Sequence, residues 1–535
     1  MVEADERRVA DEAKRAGTDV HCALAKAEVS LSDNVETPAT GDKPAIADRL
    51  AEGLDPPVER IETHAAIILL SGDRAFKLKK PVAFSFLDFR TLEARRRALE
   101  AELDLNRRTA PDIYEAVLPV VEGPDGPALG GDGEAVEWVL VMRRFAADAR
   151  LDHVAGRGEL TPDLVEELAR SIVAFHAALE PLDAGGAAAM REVVDGNAVD
   201  LRQSVPEVFA VADIEALIEA TAAELDRQAG LLDERRRAGF VRHCHGDLHL
   251  ENIVLQDGRP VLFDCIEFND AFAQIDLLYD LAFLLMDLVD RGFAAEAWAL
   301  LQAYGDRRED DAGQALLPFF VSVRASVRAK VEGFAGRRQK ARGYLDLARR
   351  ALAPEPPLLV AIGGRSGTGK SSVARALAPE IGAMPGAVLL RSDVIRKRLF
   401  GREPGEKLPQ EAYDEAVSAR VFEHLAERAL TLLRAGRTVI ADGVFGGPEQ
   451  RARIEAAATT AGVPFSGFWL EAPEAVLEAR VGARRGDVSD ADIAVVRQQA
   501  AMQTGRISWA AIDASGGVDE VARRILCGLD RTNTG

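Results

Sequence analysis

The eight residues Gly364-Arg365-Ser366-Gly367-Thr368-Gly369-Lys370-Ser371 constrain this chain more than any other stretch. They spell G-x-x-x-x-G-K-S, directly after the apolar run Leu358-Leu359-Val360-Ala361-Ile362 and before Ser372-Val373-Ala374-Arg375-Ala376-Leu377. An apolar run, a glycine loop and a periodic apolar segment in that order read as strand, loop and helix, the setting that gives the motif its meaning. The glycines let successive N–H groups turn toward one centre, and the helix N-terminus adds partial positive charge there. Gly364, Arg365, Ser366, Gly367, Thr368, Gly369 and Ser372 line such a cradle. Lys370 is placed to reach the β- and γ-phosphates and the Ser371 hydroxyl to coordinate Mg²⁺. The expectation is a site for a nucleoside triphosphate.

The surroundings set the domain organisation. A chain of 535 residues is too long for one core. Ala353-Pro354-Glu355-Pro356-Pro357 is a stiff, extended linker, so the expected boundaries are a domain over 45–352, a linker over 353–357 and a second domain over 358–535. In the second, candidate strands at 358–362, 387–390, 438–441, 464–470 and 507–513 alternate with helical segments. This predicts an α/β domain with a parallel sheet and helices on both faces. Ligands of such sheets gather at the C-terminal strand ends, where Lys370, Asp393 and Asp442 all fall.

Bulk properties narrow the function classes. A net charge of −21 argues against long nucleic acids and anionic membrane surfaces as partners. No run of 18 apolar residues occurs, so no transmembrane helix is expected. Residues 1–44 lack a signal peptide's basic start and apolar core and read as a disordered acidic tail. Cys22, Cys244, Cys265 and Cys527 are scattered without a C-x-x-C pair, so they are expected to be buried thiols in a reducing cytoplasm.

In the first domain a helix is expected over 45–54. His64 to Leu70 and Arg74 to Lys80 read as a hairpin turning at Ser71-Gly72-Asp73. Alternation puts Lys77 and Lys79 on one strand face and Phe76 and Leu78 on the other. Thr91 to Arg108 reads as a charged helix carrying Glu100 and Glu102. A strand lysine followed by a helix glutamate is what a kinase-type ATP site needs, the carboxylate holding the ammonium that pairs the phosphates; a solvated strand and helix would look the same. Trp138 to Met142 is either a hinge strand lining an adenine pocket or a plain core strand. Helices dominate from Thr161 to Arg237. Between Phe319 and Leu352 lies the most basic region, with Arg324, Arg328, Lys330, Arg337, Arg338, Lys340 and Arg342. It reads as a solvated face, with an acceptor pocket for an anionic group as the alternative.

The stretch His245-Gly246-Asp247-Leu248-His249-Leu250-Glu251-Asn252, with Asp264 on the next strand, resembles the catalytic core of the aminoglycoside phosphotransferase (choline/fructosamine kinase-like) superfamily. The likeness spans about 60–349 and implies an α+β, protein-kinase-like, two-lobed domain. It implies that Asp247 orients the acceptor hydroxyl and accepts its proton, that Asn252 and Asp264 ligate Mg²⁺, and that Asp276 and Asp280 are structural braces. It makes Lys77 the phosphate lysine and Glu102 its partner, with Lys79 and Glu100 as alternatives. One departure is the lack of a glycine-rich loop before the Lys77 strand.

The segment 358–529 resembles the small P-loop kinases that phosphorylate hydroxyls, among them gluconate kinase, chloramphenicol phosphotransferase, zeta toxin and polynucleotide kinase. The likeness implies Asp393 as base for the acceptor hydroxyl, Arg396 as acceptor-binding arginine, and Asp442 as a Mg²⁺ positioner or else a cap. It implies that Arg480 and Arg484 close on the phosphates from a lid, with Arg485 a bystander, and that Gly516-Gly517 passes the adenine edge. The combined expectation is a fusion of two ATP- and Mg²⁺-dependent phosphotransferase modules acting on small-molecule hydroxyls. The alternative makes the first domain a regulatory ligand-binding module and the P-loop domain the only kinase, acting on a nucleotide sugar or a polynucleotide 5′ end.

Overall fold

Strand alternation organises the first sheet. In Arg74–Lys79 (β3), Phe76 and Leu78 enter a core with Leu69, Val120, Val139 and Val141, which leaves Lys77 and Lys79 to the opposite face. The computed structural model describes residues 46–533 apart from 64, 85–86, 125, 404–405, 483–492 and 501–503. The tail expected over 1–44, as well as Arg484 and Arg485, lie outside the described residues.

Val58–Glu62 (β1), Ala66–Ser71 (β2), β3, Tyr114–Gly123 (β4), Gly126–Leu129 (β5) and Ala135–Arg143 (β6) form a six-stranded antiparallel sheet in the order β1-β2-β3-β6-β4-β5. Only Gly72-Asp73 separates β2 from β3, so no glycine-rich loop is present there. Helix Leu92–Arg107 (α1) starts at Thr91, whose hydroxyl accepts the Ala94 N–H at 3.1 Å. That helix lays Leu99 against the sheet beside Tyr114, Leu140 and Phe263. The long helices Pro162–Ala178 (α2), Gly186–Gln203 (α3) and Val211–Arg237 (α4) follow. Short strands then carry the loops that matter for chemistry: Val241–His243 (β7) pairs with Gln274–Asp276 (β10), and Ile253–Gln256 (β8) with Arg259–Leu262 (β9). This is the α+β, two-lobed kinase-like build.

The P-loop part is a five-stranded, all-parallel sheet. Leu359–Gly364 (β11), Val388–Arg391 (β12), Val439–Asp442 (β13), Phe465–Glu471 (β14) and Ala510–Asp513 (β15) lie in the order β12-β13-β11-β14-β15. Leu359 and Ala361 pack into one core with Phe422, Leu425 and Ile454, while Val360 and Ile362 pack into another with Val373, Leu377 and Ile525. A strand covered by helices on both faces has no polar side, which is why β11 is a continuous apolar run.

The compact units do not divide at the 353–357 linker. Among the described residues, those from 46 to 284 with 325–345 form one unit, and 285–324 with those from 346 to 533 form the other. Side-chain hydrogen bonding supplies the reason. Helix Ala294–Arg307 seals the sheet edge: Gln302 donates to the Leu389 carbonyl and accepts the Leu389 N–H, both at 2.9 Å, and Trp298 Nε1 donates to the Ala387 carbonyl at 2.8 Å. One carboxamide so takes the ladder positions of a missing neighbour strand.

Two further expectations need correction. The basic stretch is not simply a solvated face: Lys330 is buried on Asp200 at 2.8 Å, Arg328 meets Glu332 at 3.2 Å, and Arg342 donates to the Val208 carbonyl at 2.8 Å. Asp200 on α3, Glu332 one turn along from Arg328 on the same helix, and the Val208 carbonyl in the turn between α3 and α4 take up these cations. Cys244 and Cys265 are buried as expected, but Cys527 is exposed. Among the described residues no helix is long and apolar enough to cross a membrane.

Candidate active sites

In the first unit a lysine pair and a carboxylate cluster meet under the sheet. Lys77 Nζ lies 2.5 Å from Glu102 Oε1 and 3.3 Å from Asp264 Oδ1. Lys79, one pleat on, reaches Glu102 Oε2 at 2.8 Å and Glu267 Oε1 at 2.5 Å. The two lysine alternatives therefore both hold in space, because one carboxylate serves both. Glu102 is fully buried, whereas Glu100 is turned outward on α1 and pairs with Arg96 at 2.9 Å. The helical period separates them: Glu102 follows the buried Leu99 by three residues and shares its face, and Glu100 does not.

The loop after β7 is held by Asp280. Its carboxylate accepts the Gly246 N–H at 2.8 Å and the His245 N–H at 3.2 Å, and His176 Nε2 lies 3.2 Å from it. Gly246 has φ +82°, and an added Cβ would sit 3.0 Å from the Phe272 carbonyl oxygen, so no other residue fits there. Asn252 Nδ2 donates to the Asp247 carboxylate at 2.8 Å and to its carbonyl at 2.9 Å. Asn252 Oδ1 accepts no hydrogen bond among the described residues, which leaves a hard oxygen donor for a cation. The Phe263 N–H donates to the Asn252 carbonyl at 3.0 Å, tying β9 and Asp264 to this loop. Asp264 adopts φ +65°, a conformation aspartate tolerates better than most side chains. Its N–H is received by Tyr114 Oη at 3.1 Å, and the next N–H, of Cys265, by Asn106 Oδ1 at 2.8 Å. Burial, reinforced by the charges of Asp264 and Glu102, keeps the Tyr114 phenol well above its usual pKa and hence neutral.

The structure thus gathers Lys77, Glu102, Asp247, Asn252 and Asp264. It places Asp276 apart, in a two-point pair with Arg235 at 2.7 and 2.9 Å. Val139 and Val141 are core residues, and the Trp138 ring carries the Arg96 guanidinium at 4.7 Å. Sequence reasoning missed Tyr114, Asn106, His176 and His249, which lies 3.4 Å from Asp247 Oδ2. The buried polar positions on otherwise apolar faces were the available signal.

In the second unit the Ser371 hydroxyl donates to Asp442 Oδ2, and Arg391 Nε lies 3.8 Å from the same oxygen. No main-chain N–H donates to the Asp442 carboxylate among the described residues, so it does not act as a cap. Burial raises its pKa, Lys370, Arg391 and Ser371 pull it down, and Asp393 pushes it up again. Those four groups surround one carboxylate. Lys370 Nζ is folded onto the Arg365 carbonyl at 3.0 Å. Asp393 opens helix Ser392–Leu399 (α5), and Arg396 follows one turn on. Arg396 is buried, donates to the Ala412 carbonyl at 2.6 Å and Ser418 Oγ at 3.2 Å, and lies over the Tyr413 ring at 5.0 Å. Its Nε has no partner and it forms no ion pair among the described residues. Burial lowers its pKa against the nearby Asp393 charge. Arg480 donates to the carbonyls of Ala514, Ser515 and Gly516 at 2.8, 3.2 and 3.0 Å. It is therefore spent on the loop containing Gly516-Gly517 and not on the phosphate cradle. Gln499, which sequence reasoning also missed, accepts the Ser366 N–H of the cradle at 2.7 Å.

Fold and site together define a fusion of two kinase-type phosphotransferase modules, the second a nucleotide-binding P-loop domain. A family model described as "Phosphotransferase enzyme family" matches residues 84–316, and one described as "AAA domain" matches 359–505. The chain belongs to the same family as proteins of Mycobacterium tuberculosis and Mycobacterium bovis that carry both parts' length. Each of these, named an uncharacterized protein, is 32% identical over 478 residues, covering 86% of this chain and 93% of its own. Among solved structures, a choline/ethanolamine kinase family protein from Mesorhizobium loti is 15% identical over 58% of this chain and 95% of its own, with a TM-score of 0.35. A gluconokinase from Sinorhizobium meliloti is 22% identical over 33% and 94%, with a TM-score of 0.25.

Proposed function

We propose that the chain carries two ATP-dependent kinase centres, each moving the γ-phosphoryl group of ATP to a hydroxyl of a small molecule. The observation that supports this best is the convergence, in each unit, of a lysine, an aspartate suited to take a hydroxyl proton, and oxygen donors suited to a hard cation. In the first centre Lys77 pairs the phosphates, held by Glu102, and Asp247 accepts the proton of the attacking hydroxyl. Asn252 Oδ1 and Asp264 are the oxygens that would hold Mg²⁺. In the second, the loop amides and Lys370 bind the phosphates, Asp393 receives the acceptor proton, and Ser371 with Asp442 would hold Mg²⁺. In both, the ion supplies charge stabilisation at the transferring phosphoryl group. The protein's own part is positioning and electrostatics.

The second acceptor is anionic in this reading. A buried guanidinium with an orphan Nε and, among the described residues, no carboxylate ion-pair partner is costly by itself. A carboxylate or phosphate on the acceptor would offset that cost one helical turn from Asp393. The reading places the protein in the cytoplasm, where ATP is available.

The test is a screen of a metabolite extract for phosphorylated products with the wild type, Asp247→Asn and Lys370→Ala. Products lost in one variant only assign one acceptor to each centre. A product set that Asp247→Asn leaves untouched removes the first centre from the proposal.

A further inference from the structure

The cradle amide of Ser366 is already taken. Gln499, on the helix Ile493–Ala500 (α7), accepts the Ser366 N–H through Oε1 at 2.7 Å. A main-chain N–H needs a partner when buried, and here a neutral side-chain carbonyl stands where an anion's oxygen could.

The helix that carries Gln499 is fastened beside the loop. Val496 packs on Leu477 and Val481 of the helix Glu474–Gly482 (α6), and Arg497 Nε meets Glu478 at 2.7 Å. The α6 helix presses on the loop itself. A Cβ on Gly367 would lie 2.8 Å from the Leu477 carbonyl oxygen, and Gly367 has φ +89°. Arg480 of the same helix holds the carbonyls at 514–516. The loop, α6 and α7 are therefore one connected piece, and the glutamine contact is its link to the phosphate cradle.

From this we infer that Gln499 is an autoinhibitory contact of the P-loop centre: its carboxamide competes with nucleotide phosphate for the Ser366 N–H, so nucleotide must displace it to bind. This rests on the reading of the P-loop as a nucleotide site. One hydrogen cannot serve two acceptors at full strength. The glutamine contact stabilises the loop, and nucleotide affinity is lowered by the same amount. Loss of one neutral hydrogen bond corresponds to about 1 kcal/mol, or roughly fivefold in affinity.

The test uses the full chain, titrated with ADP and with a non-hydrolysable ATP analogue plus Mg²⁺. The P-loop component is the part of the isotherm that Lys370→Ala removes. Gln499→Leu removes the competing oxygen and should tighten that component roughly fivefold. Gln499→Asn, too short to reach, should do the same. Gln499→Glu holds the N–H more strongly and places a negative charge at the cradle, and should weaken binding tenfold or more. Leucine and asparagine variants that bind as wild type, or more weakly, overturn the inference while leaving the nucleotide site standing. If Lys370→Ala removes no component from the wild-type isotherm, the nucleotide reading beneath it fails instead.

Discussion

Replacing Glu102 by Gln tests the centre of the first site. In the structure one buried carboxylate receives two ammonium groups, Lys77 at 2.5 Å and Lys79 at 2.8 Å. A carboxamide keeps one acceptor oxygen and turns an NH₂ toward the second lysine. Each charge-assisted bond contributes about 1.5–3 kcal/mol net. Lys77 retains Asp264 at 3.3 Å and Lys79 retains Glu267 at 2.5 Å, so neither ammonium is stranded. The expected loss is about 3 kcal/mol, near the low end for breaking a buried pair. Glu100→Gln is the control: its pair with Arg96 is solvent-exposed with i,i+4 spacing, and such pairs contribute about 0.3–0.5 kcal/mol. A chain of two units does not unfold in one step, so hydrogen exchange of peptides covering 74–79 and 92–107 is the suitable assay. Glu102→Gln should speed their exchange roughly 150-fold, since about 1.4 kcal/mol is tenfold. Glu100→Gln should change it about twofold. If the two variants exchange alike, the shared carboxylate does not hold the strand and helix together and the reasoning is refuted.

Other expectations follow from the same geometry. Asp280→Ala leaves two main-chain N–H groups and the His176 ring without their acceptor, at about 1–3 kcal/mol each; first-centre transfer should fall more than tenfold while nucleotide affinity at that centre changes little. The pH response of the second centre follows Asp442, whose carboxyl is held above its ordinary 3.8 chiefly by burial. The native state then binds that proton more tightly than the unfolded chain, so this contribution to stability is present below 3.8 and lost as pH rises through the raised value. Mg²⁺ needs the ionised form, so Mg²⁺-dependent nucleotide binding should strengthen over the same window, and Asp442→Asn should flatten the profile. Gln302→Leu strips both bonds from the edge strand at Leu389; the second unit's melting temperature should drop, by an amount reflecting about 1–2 kcal/mol, and an unchanged melting curve would show that the helix does not seal the edge.

Much of the P-loop centre was legible in the sequence because its chemistry is local. Gly364 to Ser371 supply main-chain amides whose positions follow from the loop alone, and strand alternation separated Lys77 and Lys79 from Phe76 and Leu78 before any tertiary contact was known. The choice between Glu100 and Glu102 was open because both lie on one polar helix, and only the sheet beneath decides which side is buried. Tyr114 and Asn106 were invisible for a related reason: their partners, Asp264 and Cys265, are about 150 residues away in the chain, 150 and 159 respectively. The division between units was misplaced because a proline-rich linker is an obvious break, whereas Trp298 and Gln302 look like ordinary helix residues until the edge of β12 lies against them. Gln499 carries no motif; its meaning is a single contact made by folding.

The central claim is that one chain holds two separate nucleotide centres. Calorimetric titration of the full chain with a non-hydrolysable ATP analogue and Mg²⁺ measures it directly. The account predicts two equivalents bound by the wild type, one by Lys370→Ala and one by Asp264→Ala. A single equivalent in the wild type, abolished by Lys370→Ala, would contradict it.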